Sequence, residues 1–216
     1  MKILNLYACL GGNRYKWDEV TDIKVTAVEL DPELARLYQE RFPNDTVIVA
    51  DAHQYLLDHY KEFDFIWSSP PCPTHSKLIL SHKTKKTFIP KYPDMKLYQE
   101  IIFLDNYFEG KYCVENVIAF YTPLIPAKKR GRHLYWTNFN LPNILSQRHI
   151  PMNGFTETIR FSKFHNIDLL SYKGEQRKDK IAKNLVDYEA GKTILETVLG
   201  ITRKQNINQT TIFDEC

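Results

Sequence analysis

The sequence predicts an α/β domain built on a doubly wound, mostly parallel sheet. In the first 115 residues, short apolar runs typical of strands alternate with helical patterns. Several of these runs end in glycine, proline or a carboxylate, as strands do at the carboxyl edge of such a sheet. The chain has 216 residues, 43% of them apolar and 25% charged, which suits one well-buried core.

Five strands are predicted, each a short apolar run bounded by turn residues. They cover residues 3–7, 25–29, 46–50, 63–67 and 112–114. Asp31 is expected to cap a helix that has Pro32 in its first turn. A second helix carries an apolar stripe from Leu97 to Phe108, and a third is predicted at 188–199.

The domain organisation follows from a change in pattern after residue 132. Residues 133–176 show aromatics and turn signals without a helical period, which predicts a small, irregular or β insertion. We therefore expect a catalytic and cofactor-binding core at 1–132, the insertion at 133–176, a segment returning to the core at 177–201 and a polar tail at 202–216.

Composition excludes some classes of protein. No apolar stretch is long enough to cross a membrane, and the N-terminus lacks the pattern of a signal peptide. The four cysteines are scattered and form neither a metal-ligand pair nor a disulfide framework. We therefore expect no metal and no membrane partner, and a reducing cytoplasm as the location.

The net charge of +3 is small, but the basic residues are clustered. The clusters lie at 77–91, 128–133 and 173–183. Clustered lysine and arginine are typical of phosphate contacts, although a solvated face has the same composition. Candidate nucleic-acid contacts are Lys77, Lys83, Lys85, Lys86, Arg148 and Arg160.

Three features of the first half indicate an adenosine-containing cofactor. Gly11 and Gly12 form a turn that would let the backbone approach a ligand. Glu29 ends the second strand, where a carboxylate can accept hydrogen bonds from ribose hydroxyls. Asp51 ends the third strand and could bind an adenine amino group. A helix cap or a solvated turn is the alternative for each carboxylate.

Cys72 is the candidate nucleophile. Two prolines at the end of a strand would hold it in a fixed position, and the following hydroxyl and basic residues could favour its thiolate. Cys113, inside a predicted strand, is interpreted as a buried apolar residue. Glu115 ends the adjacent strand and could reach the same ligand.

Together these motifs resemble the DNA cytosine-5 methyltransferases in the order that the family has them. The matches are Tyr7-Ala8-Cys9-Leu10-Gly11-Gly12, Glu29, Asp51, Pro71-Cys72, Glu115-Asn116-Val117, Arg130-Gly131-Arg132 and Asn184-Leu185-Val186. The resemblance implies a small member of the family, of a kind suited to a phage or mobile element. It implies methyl transfer from S-adenosylmethionine to carbon 5 of a flipped-out cytosine in DNA, as in restriction-modification, through a covalent adduct of Cys72.

The resemblance also assigns roles to residues. It implies a catalytic set of Cys72, Glu115, Asn116, Arg130, Arg132 and Ser76. In this set Glu115 binds the ring, Asn116 fixes the Cys72 loop and Arg132 braces the base. It implies cofactor contacts from Tyr7, Ala8, Cys9, Leu10, Gly11, Gly12, Glu29, Leu30, Asp51, Ala52, Pro70, Asn184 and Val186.

The chain departs from the family pattern at several positions. Cys9 replaces a glycine, Pro73 a glutamine and His75 an aromatic residue; Lys128 replaces a glutamine and Leu185 a small residue. We expect these departures to bear on loop geometry, rate and substrate, and to leave the nucleophile and the carboxylate in place. The short stretch between Arg132 and Asn184 predicts a short recognition sequence or a partner subunit.

Three other functions remain open from the sequence. An RNA cytosine-5 methyltransferase would use the same catalytic set on transfer RNA. An amino methyltransferase would use Ser69-Pro70-Pro71, but Cys72 then occupies the position of its stacking aromatic. A degenerate methyltransferase fold would bind nucleic acid or a partner without catalysis.

Overall fold

The computed structural model describes residues 1–81, 86–146, 156–170 and 172–201. Its strands are β1 (Lys2–Leu6), β2 (Lys24–Glu29), β3 (Thr46–Val49), β4 (Phe65–Ser68), β5 (Lys111–Val117), β6 (Lys128–Arg130) and β7 (His133–Thr137). Its helices are α1 (Pro32–Arg41), α2 (Ala52–His59), α3 (Leu78–Ser81), α4 (Lys96–Tyr107), α5 (Thr156–His165), α6 (Lys178–Asn184) and α7 (Tyr188–Val198). Two short 3-10 helices lie at Trp17–Glu19 and Tyr60–Glu62.

The seven strands form one sheet in the order β3-β2-β1-β4-β5-β7-β6. Strands β1 to β5 are parallel, and the β6–β7 hairpin adds to β5 in antiparallel orientation. The predicted fold class is confirmed. The strand order reverses between β1 and β4, and ligands of open α/β sheets bind beyond the carboxyl ends of the strands at such a point.

Alternate side chains of the strands enter two different cores. Leu4 of β1 packs with Leu104 of α4 on one face of the sheet. Its neighbour Ile3 packs with Ile194 of α7 on the other face. All four are almost completely buried. This covering of both faces explains why the strands read as nearly continuous apolar runs rather than as alternating ones.

The C-terminal half differs from the prediction in two ways. The boundary predicted after Arg132 divides the β6–β7 hairpin, so that β7 belongs to the main sheet rather than to an insertion. The insertion also contains a helix, α5, whose Phe161 packs in a core with Leu10, Leu34 and Ile181. Contacts with the core therefore stabilise a helix that the local sequence pattern does not predict. The predicted tail, 202–216, lies outside the described residues.

Two carboxylates begin helices at the carboxyl edge of the sheet. The Asp31 side chain accepts hydrogen bonds from the backbone N–H groups of Glu33 and Leu34 and thereby caps α1. Asp51 caps α2, a helix that was not predicted, through the N–H groups of His53 and Gln54. None of the helices in the described residues is both long enough and apolar enough to cross a membrane.

Candidate active site

A cavity of about 880 Å³ lies at the carboxyl edge of the sheet, next to the point where the strand order reverses. Twelve of the predicted site residues line it: Tyr7, Cys9, Glu29, Leu30, Asp51, Ala52, Pro70, Cys72, Glu115, Asn116, Asn184 and Val186. Its volume is in the usual range for small-molecule sites, about 300–1,000 Å³. The fold thus brings together residues from both ends of the sequence.

The loop that carries Cys72 is fixed at several points. Asn116 Nδ2 on β5 donates a 2.9 Å hydrogen bond to the carbonyl of Pro70. The backbone carbonyl of Cys72 accepts from the N–H groups of His75 and Ser76, each at 3.0 Å. His75 is buried, with its Nδ1 2.5 Å from the hydroxyl of Tyr121. The Cys72 loop is therefore anchored on both sides.

The ionisation of Cys72 differs from the prediction. Burial and the negative charge of Glu115 raise the pKa of the Cys72 thiol above its ordinary value. The residues expected to favour the thiolate are turned elsewhere: His75 faces Tyr121, and Lys77 is exposed at the surface. In the free protein Cys72 is thus a protonated thiol at neutral pH.

Glu115 is held by a chain of hydrogen bonds from neighbouring strand ends. Its Oε2 accepts a 3.0 Å hydrogen bond from Ser69 Oγ. Ser69 Oγ in turn accepts from Trp67 Nε1 at 2.8 Å. The side chain of Glu115 is 7% exposed and lines the cavity beside Cys72. One carboxylate oxygen therefore has a protein donor, and the other, Oε1, faces His133.

The predicted arginine pair does not reach the cavity. Arg130 ends β6, and its guanidinium donates to the carbonyls of Leu141 and Pro142. Arg132 is exposed in the hairpin turn. The first residue of β7, His133, lines the cavity instead, with its Nε2 3.6 Å from Glu115 Oε1. Arg130 ends a strand whereas Arg132 lies in the turn that follows it, so their side chains do not share the face that a continuous strand would give them.

Ser76 is another predicted catalytic residue outside the cavity lining. Its Oγ accepts a 3.2 Å hydrogen bond from the N–H of Leu78, at the start of α3. The serine therefore stabilises the turn that follows the Cys72 loop. A hydroxyl that binds its own backbone in this way is a common local motif.

Glu29 and Leu30 form one wall of the cavity. Glu29 Oε2 accepts from Cys9 N–H at 2.8 Å, and its Oε1 accepts from Asp31 N–H at 3.0 Å. Burial raises the pKa of Glu29, even though these backbone donors act in the opposite direction. Leu30, 68% exposed, presents an apolar surface to the same space. An acidic group beside an apolar face suits a nucleoside.

Asp51 follows β3, and its carboxylate makes two kinds of contact within the protein. One oxygen caps α2, and the other lies 3.4 Å from Lys96 Nζ. Partial burial raises its pKa, but the N–H donors and Lys96 outweigh this effect and the net direction is down. Asp51 therefore stays ionised and keeps lone pairs directed at the cavity edge.

Glu100 is a buried residue beneath the site that the sequence reasoning missed. Its carboxylate accepts hydrogen bonds from Tyr7 at 2.5 Å and Ser68 at 2.6 Å, and lies 3.0 Å from His53 Nδ1. Burial and the Glu100 charge raise the pKa of Tyr7 well above its usual range. The signal was available, because Glu100 stands on the same helical face as Leu97 and Leu104.

The glycine turn at Gly11 and Gly12 does not line the cavity, although the sequence analysis expected it to approach the ligand. Ala8 and Leu10 lie outside the cavity lining as well. A side chain on Gly12 would meet the backbone of Leu185 and Val186, so this glycine allows close packing of protein rather than of ligand.

Cys9, which replaces a glycine of the family, has a φ of +47°. This left-handed conformation is strained for any residue with a Cβ. Burial and the charge of Glu29 raise the pKa of its thiol to about 12, so that Cys9 remains neutral.

The segment before and within α6 covers the other side of the cavity. Gln176 Nε2 donates a 2.5 Å hydrogen bond to Asp31 Oδ2 and so ties this segment to α1. Asn184 and Val186, both predicted cofactor contacts, line the cavity, together with Lys180 and Lys183, to which the sequence assigned no role. The basic cluster at 173–183 therefore contributes to this cavity as well as to the outer surface.

The predicted nucleic-acid contacts are only partly described. Lys77, Lys86 and Arg160 are exposed, whereas Lys83, Lys85 and Arg148 lie outside the described residues. Lys128 is half-buried, and its ammonium donates to the carbonyls of Thr137 and Phe139. Burial lowers its pKa. Within the basic cluster at 128–133, Lys128 and Arg130 are thus bound internally, whereas Lys129 and Arg132 are exposed. Within the described ranges, no three His, Cys, Asp or Glu side chains are grouped to hold a metal ion.

Comparison with known families gives one match. Residues 1–97 match the model of the C-5 cytosine-specific DNA methylases. The resemblance seen in the sequence is thereby confirmed over this region, which holds Glu29, Asp51 and Cys72. A search of curated proteins finds no match to the chain.

Solved structures include one with the same fold over most of the chain and others that are similar over part of it. Entamoeba histolytica methyltransferase EhMeth is 9% identical with a TM-score of 0.52, and the alignment covers 93% of this chain and 98% of that one. A mutant of Spodoptera frugiperda DNMT2 is 25% identical with a TM-score of 0.37, covering 54% of this chain and 35% of that one. A DNA modification methyltransferase encoded in an Escherichia coli prophage is 18% identical with a TM-score of 0.38, covering 56% and 33%. The chain thus spans about a third of the length of these last two proteins.

The family match and the fold together support a methyltransferase enzyme.

Proposed function

We propose that this protein transfers a methyl group from S-adenosylmethionine to carbon 5 of a cytosine in DNA, with Cys72 as the nucleophile. The observation that carries the proposal is that Cys72 and Glu115 line one cavity with Glu29 and Asp51. The thiol of Cys72 and the carboxylate of Glu115 would bind the target base. The carboxylates of Glu29 and Asp51 would bind a nucleoside cofactor in the same cavity.

The residues at the cofactor end fit S-adenosylmethionine. Glu29 can accept hydrogen bonds from ribose hydroxyls, because the two carboxylate oxygens together offer about four lone-pair sites and the backbone N–H groups of Cys9 and Asp31 occupy one on each oxygen. Leu30 offers an apolar face for adenine, and Asp51 offers an acceptor for its amino group. When bound, S-adenosylmethionine supplies an electrophilic methyl group.

Cys72 and Glu115 provide the chemistry on the base. The Cys72 thiolate adds to carbon 6, forming a C–S bond and moving electron density to carbon 5 and the ring nitrogen N3. Glu115, carrying a proton when the base is bound, donates it to N3 as negative charge develops there, and accepts a hydrogen bond from the exocyclic amino group. After methyl transfer, loss of the carbon 5 proton and release of the Cys72 sulfur restore the aromatic ring.

The ionisation of Cys72 has a kinetic consequence. Its pKa is raised, so the thiol must lose its proton before it attacks. We expect the rate of adduct formation to increase with pH through the neutral range. Asn116, by holding Pro70, keeps the sulfur at a fixed height over the sheet edge during this step.

A base stacked in a duplex cannot reach Cys72, so the target must be flipped out or unpaired. Exposed Lys77 follows the Cys72 loop by a few residues and is placed to meet the phosphates around the extruded base. Since Lys128 and Arg130 are bound internally, the basic surface that remains suits a compact contact with DNA.

The test is transfer of tritiated methyl from S-adenosylmethionine to duplex DNA, with digestion of the product to nucleosides. We expect label in 5-methylcytosine from the wild type and none from the Cys72→Ala variant. Equal labelling by both proteins would show that Cys72 is not the nucleophile. Label in transfer RNA but not in DNA would identify the substrate as RNA.

A further inference from the structure

We infer that His133 is a positioning residue that holds the Glu115 carboxylate, in the place that the sequence assigns to Arg132. The inference rests on the proposed function, because it concerns the carboxylate that would bind the target base. It assigns a role to a residue that neither the motifs nor the family match singles out.

The first step is geometric. His133 Nε2 lies 3.6 Å from Glu115 Oε1, while Ser69 Oγ donates to Oε2 from another direction. Trp67 Nε1 fixes that serine. Among the described side-chain contacts of Glu115, the one at Oε1 is with His133. Ser69 and His133 therefore fix the orientation of the carboxylate from two sides.

The second step is the strand register. Val117 of β5 pairs with His133 of β7, and Glu115 pairs with Tyr135. Residues two apart on neighbouring strands lie on the same face as diagonal neighbours. His133 and Glu115 are such a pair. A one-residue shift of the hairpin would turn His133 to the other face, so the contact depends on this register.

The third step is the chemistry. When the Cys72 sulfur adds to the ring, negative charge develops beside Glu115. A protonated imidazole 3.6 Å from the carboxylate offsets that charge. We therefore expect loss of His133 to slow the chemical step through Glu115 rather than to weaken the binding of nucleic acid.

The titratable groups near His133 come from several elements of the fold. Glu115 faces it from β5, and Tyr135 lies near it on its own strand, with ring centroids 6.4 Å apart. Cys72, in the loop after β4, lines the same cavity. On β6, Arg130 pairs with it in register but directs its guanidinium to backbone carbonyls. Among the ion pairs of the described residues, the one that His133 makes is therefore with Glu115.

The experiment measures kcat and KM for the wild type and for His133→Gln, His133→Arg and His133→Phe. We expect His133→Gln to lower kcat about tenfold with little change in the KM for DNA, since the residue is partly exposed and acts through Glu115. His133→Arg should recover most of the rate. His133→Phe should be slower than His133→Gln.

A second measurement does not depend on activity. In the imidazole proton–carbon NMR spectrum, the His133 resonance, assigned by its loss in His133→Gln, should move in Glu115→Gln. The resonance of His59, which pairs with Glu62 on the surface, should stay in place. An unmoved His133 resonance would overturn the contact itself.

The outcomes separate the two proposals. A wild type that methylates no nucleic acid contradicts the proposed function, and with it any catalytic role of His133, whatever the NMR result. An active wild type whose kcat survives all three substitutions contradicts only the inference about His133.

Discussion

Asn116 Nδ2 donates a 2.9 Å hydrogen bond to the carbonyl of Pro70, two residues before Cys72. Both partners are buried. The bond joins the end of β5 to the loop after β4, which are adjacent parallel strands. The residue that follows Glu115 thus determines where the Cys72 loop lies, and a single motif provides both the carboxylate and the support for the nucleophile.

Replacing Asn116 by alanine should uncouple the two elements. The Pro70 carbonyl would lose its donor, and we expect a loss of about 1–2 kcal/mol in the free energy of unfolding. Methyl transfer should decrease more than tenfold, because small displacements of a nucleophile reduce rates strongly. Urea unfolding and the tritium assay measure the two effects. The exposed Asn106, which bonds only within α4, is the control. An Asn116→Ala enzyme as fast as Asn106→Ala would contradict the coupling.

The reactivity of Cys72 should reveal its raised pKa. At pH 7 we expect iodoacetamide to modify Cys72 more slowly than a free cysteine, with the rate rising above the ordinary thiol range. Glu115→Gln removes a negative charge that contributes to the shift, so it should speed alkylation at neutral pH severalfold. Mass spectrometry of the Cys72 peptide separates it from the buried Cys9 and Cys113.

The matched control for the alkylation experiment is Glu109→Gln, an exposed carboxylate away from the cavity. It should leave the rate at Cys72 unchanged. If Glu109→Gln accelerates alkylation as much as Glu115→Gln does, the shift arises from overall charge rather than from the neighbouring carboxylate.

Glu100 should be required for stability and for the shape of the cofactor site. Its replacement by alanine removes the acceptor of Tyr7 and Ser68 and the partner of His53, and we expect a loss of about 3 kcal/mol. Tyr7→Phe removes one of these bonds and should cost about 1 kcal/mol. Both variants should bind S-adenosylmethionine more weakly in a calorimetric titration. Exposed Tyr107→Phe should change neither quantity.

Cys9 offers a test of backbone strain. At the φ of +47° that this position has, glycine adopts the left-handed conformation without steric strain, whereas alanine is strained by its Cβ. We expect Cys9→Gly to be more stable than Cys9→Ala by about 1 kcal/mol in urea unfolding. Cys113 in β5 is the control, because inside a strand the alanine variant is normally more stable than the glycine variant. The same order at both positions would show that strain at Cys9 is not significant.

The sequence predicted most of the sheet because its strands are buried on both faces and are therefore apolar throughout. It also predicted Glu29, Asp51 and Cys72 at the cavity, since residues that follow parallel strands meet at one edge. Helix α5 was missed because its stability comes from packing against the core rather than from its own residues.

The residues that the sequence did not identify depend on contacts between distant parts of the chain. Glu100 meets Tyr7 across 93 positions, and nothing in either neighbourhood indicates the pair. The position of His133 beside Glu115 depends on such contacts as well. The sequence alone determined the order of the strands' polar ends and the chemical groups they carry. Only the tertiary structure decided which of two adjacent basic residues, Arg132 or His133, faces Glu115, because that direction is determined by the register of β7 against β5 and by the position of the turn.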